Sequence, residues 1–167
     1  MSENKQFQIF RKGEGYVFGE DGVMTTDPTP LQAEGLGRMI EAGALDGAEF
    51  TMLCNLPGFT LMHAWFKKDY PLPLHSHSAD CLYYVVSGTA RLGTEELSVG
   101  DSFFVPADTP YTYRAGPEGV EVLEFRHTLD IDFQNYARNQ AFYDKAVSTI
   151  LENRDFWRTV PKPTRTL

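Results

Sequence analysis

The chain has 167 residues, of which 42% are hydrophobic and 13% aromatic, so it is long enough to form one domain with a substantial core. A formal net charge of −8 argues against binding to nucleic acid or to an anionic membrane, because both need clusters of Lys and Arg. We find no apolar run of about 18 residues, no apolar signal core, and only two cysteines. We therefore expect a cytoplasmic protein with no membrane or nucleic-acid partner.

The N-terminal 46 residues are predicted to form an arm followed by a short helix. Residues 1–30 are rich in Gly and polar residues, with short β-like stretches at 7–10 and 16–18. They end in Asp-Pro-Thr-Pro, which resists regular structure because Pro fixes φ and restricts the residue before it. We expect this arm to lie on the body of the protein or to reach a neighbouring subunit.

Apolar residues at helical spacing predict helices over 31–43 and 132–153. Two glycines inside the first helix each weaken it by about 1 kcal/mol relative to Ala. Asp130 and Asp132 lie where the start of the second helix favours a cap and negative charge.

The middle of the chain, residues 47–128, is predicted to be β structure. Short apolar and aromatic segments alternate with turns that contain Gly or Pro. The predicted strands are 49–55, 59–67, 81–87, 89–92, 96–99, 102–105, 110–115 and 120–127. Many short strands with such turns are typical of a sandwich or a barrel.

The most informative motif is His75-Ser-His77, just before a strand-like run that ends at Gly88. Side chains alternate between the two faces of a strand, so both imidazoles point the same way if this segment is extended. Neighbouring imidazoles on one face favour metal ligation, and the alternative is a pair of pocket histidines without a metal.

The segment around these histidines resembles the first motif of the cupin superfamily. That motif reads Gly, five residues, His-x-His, three or four residues, Glu, six residues, Gly. Here His75 and His77 are followed by three residues, Cys81, six residues and Gly88. Cys81 stands in the place of the glutamate, and the opening Gly is absent.

A second segment resembles the second cupin motif, which reads Gly, five residues, Pro-x-Gly, two residues, His, three residues, Asn. Gly100 and Pro106 match it. Asp108 stands for the second Gly, Tyr111 for the His and Ala115 for the Asn. The site residues therefore depart from the pattern more than the turn residues do.

The resemblance covers about residues 59–127 and implies an all-β fold, the cupin double-stranded β-helix or jelly-roll barrel. The barrel would span residues 47–128, flanked by the arm and short helix (1–46) and by a C-terminal helix and tail (129–167), in one structural domain. This fold hosts dioxygenases, lyases, isomerases, decarboxylases, sensors and storage proteins, so it constrains function weakly.

The resemblance also implies a metal, which in most cupins has three His and one Glu as ligands. We predict that His75, His77 and Cys81 bind one divalent transition metal: Fe, Ni, Zn or Mn. A thiolate favours softer ions, and the alternative for Cys81 is a small buried apolar side chain. Three further residues could complete the site, although each has a simpler place on the surface or in a loop: His63, His127 and Asp80.

Three tyrosines are the predicted catalytic residues. Tyr83 shares a strand face with Cys81, and Tyr113 shares one with Tyr111. A His or an ionised Tyr could then take a proton while another phenol donates one. The alternative is that these rings fill the barrel, which is usual for aromatic residues in strands.

We therefore predict a cupin-type small-molecule enzyme of the dioxygenase, lyase or isomerase class, acting with or without a metal. Its substrate would be a small organic acid or a carbonyl or aromatic compound in the barrel pocket. The alternative is a non-catalytic ligand-binding or sensory cupin without a functional metal. Dioxygenation would need a redox metal, whereas isomerisation or lyase chemistry could use His and Tyr alone.

Other expectations concern the surface and assembly. The basic residues Lys67, Arg91, Arg114 and Arg126 are expected mainly on the surface, although each could pair with a substrate carboxylate. Cys54 is expected in the core. The arm and the aromatic tail predict a homodimer that buries part of residues 1–30 or 132–157.

Overall fold

The computed structural model of the chain describes residues 6–11, 13–17 and 24–163. Two helices flank a β body: α1 (Pro30–Ala42) and α2 (Gln140–Thr159). A 3₁₀ turn, Ala44–Asp46, joins α1 to the sheet. The strands in chain order are β1 (Tyr16–Val17), β2 (Met24–Thr25), β3 (Ala48–Leu56), β4 (Phe59–Phe66), β5 (His75–Ser76), β6 (Cys81–Leu92), β7 (Glu95–Leu97), β8 (Ser102–Val105), β9 (Arg114–Arg126), β10 (Ile131–Asp132) and β11 (Gln134–Asn135).

The main sheet contains seven strands in the order β1-β3-β4-β9-β6-β7, with β8 paired to β6. All its pairs are antiparallel. Directly paired residues share a face, so Ala64, Val85 and Val122 align across β4, β9 and β6 on the inner face. This inner face forms the barrel core, and it is the face that carries the site.

The long strands β6 and β9 merge strands that the sequence pattern divided. The predicted break between 81–87 and 89–92 is a bulge within β6, where pairing with β9 shifts register around Gly88. Gly88 has φ of 70°, and a Cβ there would lie 2.0 Å from the backbone oxygen of Gly119. Only Gly fits at this point, so the signal read as a strand end is a local irregularity.

The prediction of a strand over 110–115 was wrong for residues 110–113. Tyr111 forms a single antiparallel bridge with His75, and β9 begins only at Arg114. Both backbone hydrogen bonds of the bridge are present: His75 N–H donates to Tyr111 O at 3.0 Å, and Tyr111 N–H donates to His75 O at 2.8 Å. The bridge fixes the phenol of the second motif beside the histidine of the first.

Helix α1 agrees closely with the predicted 31–43. It begins after Thr29, whose side chain accepts from the backbone N–H of Gln32 while the Gln32 side chain accepts from the Thr29 N–H, forming a capping box. Pro30 occupies the first turn, where its missing N–H costs nothing. Gly43 ends the helix with φ of 111°.

Helix α2 begins at Gln140, eight residues after the predicted start at 132. The Asn139 side chain accepts from the N–H of Phe142 and provides the cap, so Asp130 and Asp132 do not. Residues 131–135 instead pair with two other segments: β10 lies parallel to β2, and β11 antiparallel to β5. Aromatic residues continue at helical spacing through residues 131–135, but the backbone of this segment makes strand pairs instead of helical hydrogen bonds.

The two helices pack on each other and form a second core beside the barrel. Tyr143, Ile150 and Trp157 of α2 are fully buried there with Met39 of α1. Lys67, expected on the surface, is buried at this junction: its Nζ donates to the carbonyl of Trp157 at 2.8 Å and lies 4.5 Å from the centre of the Trp65 ring. The hydrogen bond to this carbonyl and the cation–π contact with the ring compensate for the burial of the Lys67 ammonium group.

The N-terminal arm is described only in part. Residues 7–10 are exposed and form no strand, and the stretch predicted at 16–18 forms β1 at Tyr16–Val17, with residue 18 outside the described residues. Cys54, expected in the core, is half-buried, because the β3 bulge turns it toward the outer face. In the described ranges, neither helix has the length and apolar character needed to cross a membrane.

Candidate functional site

The two imidazoles are buried side by side, as the alternation of side chains along a strand predicted. His75 is 4% exposed and His77 is 7% exposed, and their ring centres are 5.1 Å apart. Nδ1 of His75 donates to the carbonyl of Pro73 at 2.9 Å, and Nδ1 of His77 donates to the carbonyl of Asp132. Because a carbonyl oxygen can only accept, each Nδ1 carries the proton and each Nε2 presents a lone pair.

One predicted tyrosine contacts these histidines directly, and a second is linked to them through it. The Tyr111 hydroxyl lies 3.2 Å from Nε2 of His77 and donates to it, and the Tyr83 hydroxyl bonds to that of Tyr111. Tyr113 is buried beside them, its ring stacked on Tyr111 at 6.5 Å, but in the described ranges its hydroxyl makes no hydrogen bond. The tyrosines therefore converge, and their catalytic role stays a prediction.

The side chain at the centre of this cluster is Arg126, which we expected on the surface. It ends β9, is 4% exposed, and aligns with Cys81 across the sheet. Its Nη2 donates to Nε2 of His77 at 3.2 Å and to the Tyr83 hydroxyl at 3.3 Å. Its Nε donates to Sγ of Cys81 at 3.1 Å. Arg91 and Arg114 are exposed, as expected.

A buried carboxylate accompanies this guanidinium. Oε2 of Glu124 accepts from Nη2 of Arg126 at 2.7 Å, and both side chains are almost fully buried. The pair was missed because charged residues near a strand end normally face solvent. The sequence did contain a signal for it. Residues two apart in a strand share a face, so Glu124 and Arg126 lie on the same face as Val120 and Val122.

Cys81 is part of this network as a neutral thiol. It is 1% exposed, and its Sγ donates to the carbonyl of Ala79 at 3.4 Å. Burial raises the pKa of the thiol, and the charge of Arg126 only partly opposes that shift. The side chain is therefore both a buried apolar group and a hydrogen-bond partner of the guanidinium.

Burial also sets the protonation of the other groups. It lowers the pKa of His75 to about 4 and that of His77 to about 3, and the charge of Arg126 adds to both shifts. It raises the pKa of Tyr83 and of Tyr111, with Glu124 adding to both. At neutral pH the imidazoles are therefore neutral and the phenols are protonated.

These residues, as arranged, do not fit a metal ion. A metal would need to lie about 2.0–2.1 Å from an imidazole nitrogen, and Nε2 of His77 already faces the Arg126 guanidinium and the Tyr111 hydroxyl. Within the part of the chain that the structure describes, no three His, Cys, Asp or Glu side chains are grouped to hold an ion. The metal on His75, His77 and Cys81 stays a prediction, which this arrangement does not favour.

The three residues considered for completing the site lie elsewhere. His63 is buried but faces away from the barrel interior, because its neighbour Met62 aligns with Glu124, and it bonds to Glu121 at 2.8 Å. His127 is exposed. Asp80 is exposed and accepts from the N–H of Ala107 at 2.8 Å, which holds the loop before β6.

A short segment covers the histidines from outside. Phe133, between β10 and β11, stacks on the His75 ring with centres 4.7 Å apart and planes at 19°. The same residue lines a surface cleft of about 640 Å³. Polar residues form much of the remaining wall of this cleft, among them Thr25, Gln32, Asp132, Tyr136 and Arg138. Phe133 therefore separates this cleft from the site.

The fold is shared with solved structures, although no protein-family model and no curated protein matches the sequence. The polyketide cyclase RemF from Streptomyces resistomycificus matches with a TM-score of 0.52 and 18% identity, over 62% of this chain and 84% of that one. An RmlC-like cupin from Shewanella frigidimarina NCIMB 400 matches with a TM-score of 0.42 and 25% identity, over 48% of this chain and 76% of that one. The likeness to RemF shows the fold alone, and the chain has the cupin jelly-roll fold that its two motifs predicted.

Proposed function

We propose that the protein is an enzyme that moves protons on a small organic acid or carbonyl compound bound in the barrel, in the isomerase or lyase class. One observation carries the proposal: two neutral imidazoles, two hydrogen-bonded phenols and a buried guanidinium converge on the inner face of the barrel. Enzymes such as the cyclase RemF share the fold, which supports an enzyme and specifies no reaction.

The proton acceptor in this proposal is an imidazole. Nε2 of His75 has no hydrogen-bond partner within the described ranges, and its Nδ1 is held by the carbonyl of Pro73. That carbonyl fixes the orientation of the ring. It would also stabilise the imidazolium that forms when Nε2 takes up a proton. His75 is therefore the proposed base.

The proton donor is Tyr111. Its hydroxyl is protonated at neutral pH because burial raises its pKa, and it is bonded to Tyr83, which is bonded in turn to Arg126. A positive charge next to this pair stabilises phenolate while the proton is away. Tyr113, predicted as a third catalytic residue, would shape the pocket through its ring.

Dioxygenase chemistry is the less favoured member of the predicted set. It would need a redox metal with open positions, and Arg126 engages three of the donor atoms that could bind one: Nε2 of His77, Sγ of Cys81 and a carboxylate oxygen of Glu124. Acid–base chemistry uses these groups as they lie.

The alternative is a cupin that binds a ligand without turnover. It is favoured by the cover over the site, since Phe133 stacks on His75 and leaves that ring almost fully buried. A ligand that displaced Phe133 would change the position of β10 and β11, as a sensor requires. The predicted cytoplasmic homodimer is compatible with either function and is likewise retained as a proposal.

The test is proton exchange in D₂O. The purified protein is incubated with small keto, hydroxy and unsaturated acids and ketones, and ¹H NMR follows deuterium incorporation, double-bond movement and elimination. We expect turnover to fall by about 10²–10⁴-fold in Tyr111→Phe and in His75→Gln. Tyr84→Phe is the matched control, because Tyr84 is half-exposed on the outer face of the same strand as Tyr83. Binding without exchange would favour the alternative.

A further inference from the structure

Two buried polar atoms near the site have no partner. Nη1 of Arg126 and Oδ1 of Asn55 are each inaccessible to solvent, and neither makes a hydrogen bond within the described ranges. Buried polar groups are nearly always paired, so each unpaired one calls for an explanation such as a missing ligand. One unpaired atom is a donor and the other an acceptor.

These two side chains belong to one row across the barrel wall. Asn55 of β3 pairs with Thr60 of β4, Thr60 pairs with Arg126 of β9, and Arg126 pairs with Cys81 of β6. Directly paired residues share a face, so the whole row points into the barrel. Arg126 and Asn55 are therefore separated only by the small side chain of Thr60.

One nitrogen of the guanidinium, Nη1, makes no hydrogen bond within the described ranges. Its Nε and Nη2 atoms donate to Cys81 and Tyr83, both on β6. Because the guanidinium is planar with donors in a fixed fork, Nη1 lies on the edge away from those two atoms. From Arg126 the row of paired residues continues through Thr60 of β4 to Asn55 of β3.

The charge around Arg126 decides what can bind there. Glu124 already compensates the guanidinium through the 2.7 Å contact. A carboxylate ligand would add a second buried negative charge with no cation to balance it, which is costly in a buried site. A neutral carbonyl oxygen accepts the Nη1 hydrogen bond without adding charge.

We propose that Arg126 is the resident cation of this site and that its Nη1 binds the oxygen of a neutral carbonyl compound whose hydroxyl or amide N–H donates to Asn55. The inference rests on the proposed function, since it selects the carbonyl class over the organic acids. In the reaction, His75 would take a proton from the carbon beside the carbonyl, and Arg126 would stabilise the negative oxygen of the resulting enolate. Return of the proton to the carbon that held the carbonyl, with the hydroxyl proton passing to the enolate oxygen, completes the isomerisation of a hydroxy ketone with no co-reactant.

The test compares the binding of three probes of similar size: hydroxyacetone, acetone and glycolate. Titration monitored by ¹H–¹⁵N NMR measures the affinity of each. We expect hydroxyacetone to bind at least tenfold more tightly than glycolate. Arg126→Lys, which keeps the charge beside Glu124 but lacks Nη1, should weaken hydroxyacetone at least tenfold. Asn55→Ala should weaken hydroxyacetone about fivefold and leave acetone unchanged. Arg114→Lys, exposed on the same strand, is the control.

The outcomes separate the inference from the proposed function. Tighter binding of glycolate than of hydroxyacetone, no binding of either ketone, or full ketone affinity in Arg126→Lys would each overturn the inference. Deuterium exchange into a substrate that is unaffected by Arg126→Lys would overturn it while leaving the proposed function in place. The expected binding pattern without any exchange would support the inference and count against catalysis. Circular dichroism of each variant checks that it is folded.

Discussion

Nη2 of Arg126 lies 3.2 Å from Nε2 of His77, so a guanidinium occupies the approach that a metal ion would need. The charge is permanent, because arginine stays protonated in proteins. The hydrogen-bonding fork reaches an imidazole, a thiol, a phenol and a carboxylate at once. The barrel can therefore provide electrostatic stabilisation in its interior through a side chain of its own.

The first prediction concerns metal content. We expect the purified protein to carry only traces of Fe, Ni, Zn or Mn, because the guanidinium repels a cation and engages the ligand atoms. Arg126→Ala should gain affinity for Co²⁺, since the change frees Nε2 of His77 and Sγ of Cys81 from the guanidinium. Plasma mass spectrometry and the Co²⁺ visible spectrum measure both. A full equivalent of metal in the wild type that is lost in His75→Ala/His77→Ala would contradict this and restore the metal site.

The second prediction concerns the buried ion pair. Glu124→Ala should lower the free energy of unfolding by about 3–5 kcal/mol, because it leaves the Arg126 charge buried without its carboxylate. The double variant Glu124→Gln/Arg126→Met should lose less, since no buried charge remains. Urea denaturation measures both, with Arg114→Ala as the exposed control, expected to change stability by no more than about 0.5 kcal/mol. Equal losses in the single and double variants would show that the charge is not what matters.

The barrel could be predicted from the sequence because its signals are local. Gly and Pro turns divide the strands, and the spacing between His75 and Gly88 and between Gly100 and Pro106 identifies the fold. The boundaries that were wrong depend on distant partners. Helix α2 starts late because residues 131–135 pair with β2 and β5, which no local pattern encodes.

The site could be predicted only in part, for a related reason. Strand alternation placed the two histidines and Tyr83 on the inner face, and the motif register placed Tyr111 beside them. Arg126 was missed because a charged side chain is buried only where it has a partner of opposite charge. Its partner is Glu124, and the pair can be recognised only if both residues are assigned to the inner face of the strand. Phe133 was missed because its segment was assigned to a helix.

The third prediction compares two glycines in α1. A Cβ at Gly35 would lie 2.3 Å from the Tyr143 ring, whereas at Gly37 it would meet nothing within 4 Å. Gly35→Ala should therefore destabilise the protein by about 1–3 kcal/mol by forcing α1 away from α2. Gly37→Ala should stabilise it by about 0.5–1 kcal/mol through helix propensity. Thermal unfolding of the two variants should shift the Tm in opposite directions, and shifts of the same sign would refute the packing of α1 on Tyr143.

The fourth prediction concerns the two thiols. Burial raises the pKa of both, but Cys54 is half-buried and Cys81 is fully enclosed with Arg126 and Ala79. At pH 8 a disulfide reagent such as DTNB should modify one thiol slowly in the folded protein and both rapidly in urea. Cys54→Ser should abolish the slow phase, and Cys81→Ser should leave it. Rapid modification of Cys81 in the folded protein would mean that the barrel end is open.

The fifth prediction concerns acid. In the unfolded chain a His has a pKa of about 6.5, whereas burial lowers the pKa of His75 to about 4 and of His77 to about 3 in the folded protein. Below pH 6.5 the unfolded state binds more protons, so this stability is fully present above that pH and is lost as the pH falls through about 4 for His75 and about 3 for His77. The slope should approach about 1.4 kcal/mol per pH unit for each histidine. Urea denaturation at several pH values measures it. His75→Asn/His77→Asn should flatten the slope between pH 6.5 and 4.5, and His127→Gln, exposed outside the site, should not. If the double variant keeps the wild-type slope, the imidazoles are not held neutral by burial, and His75 would lose its proposed role as the base.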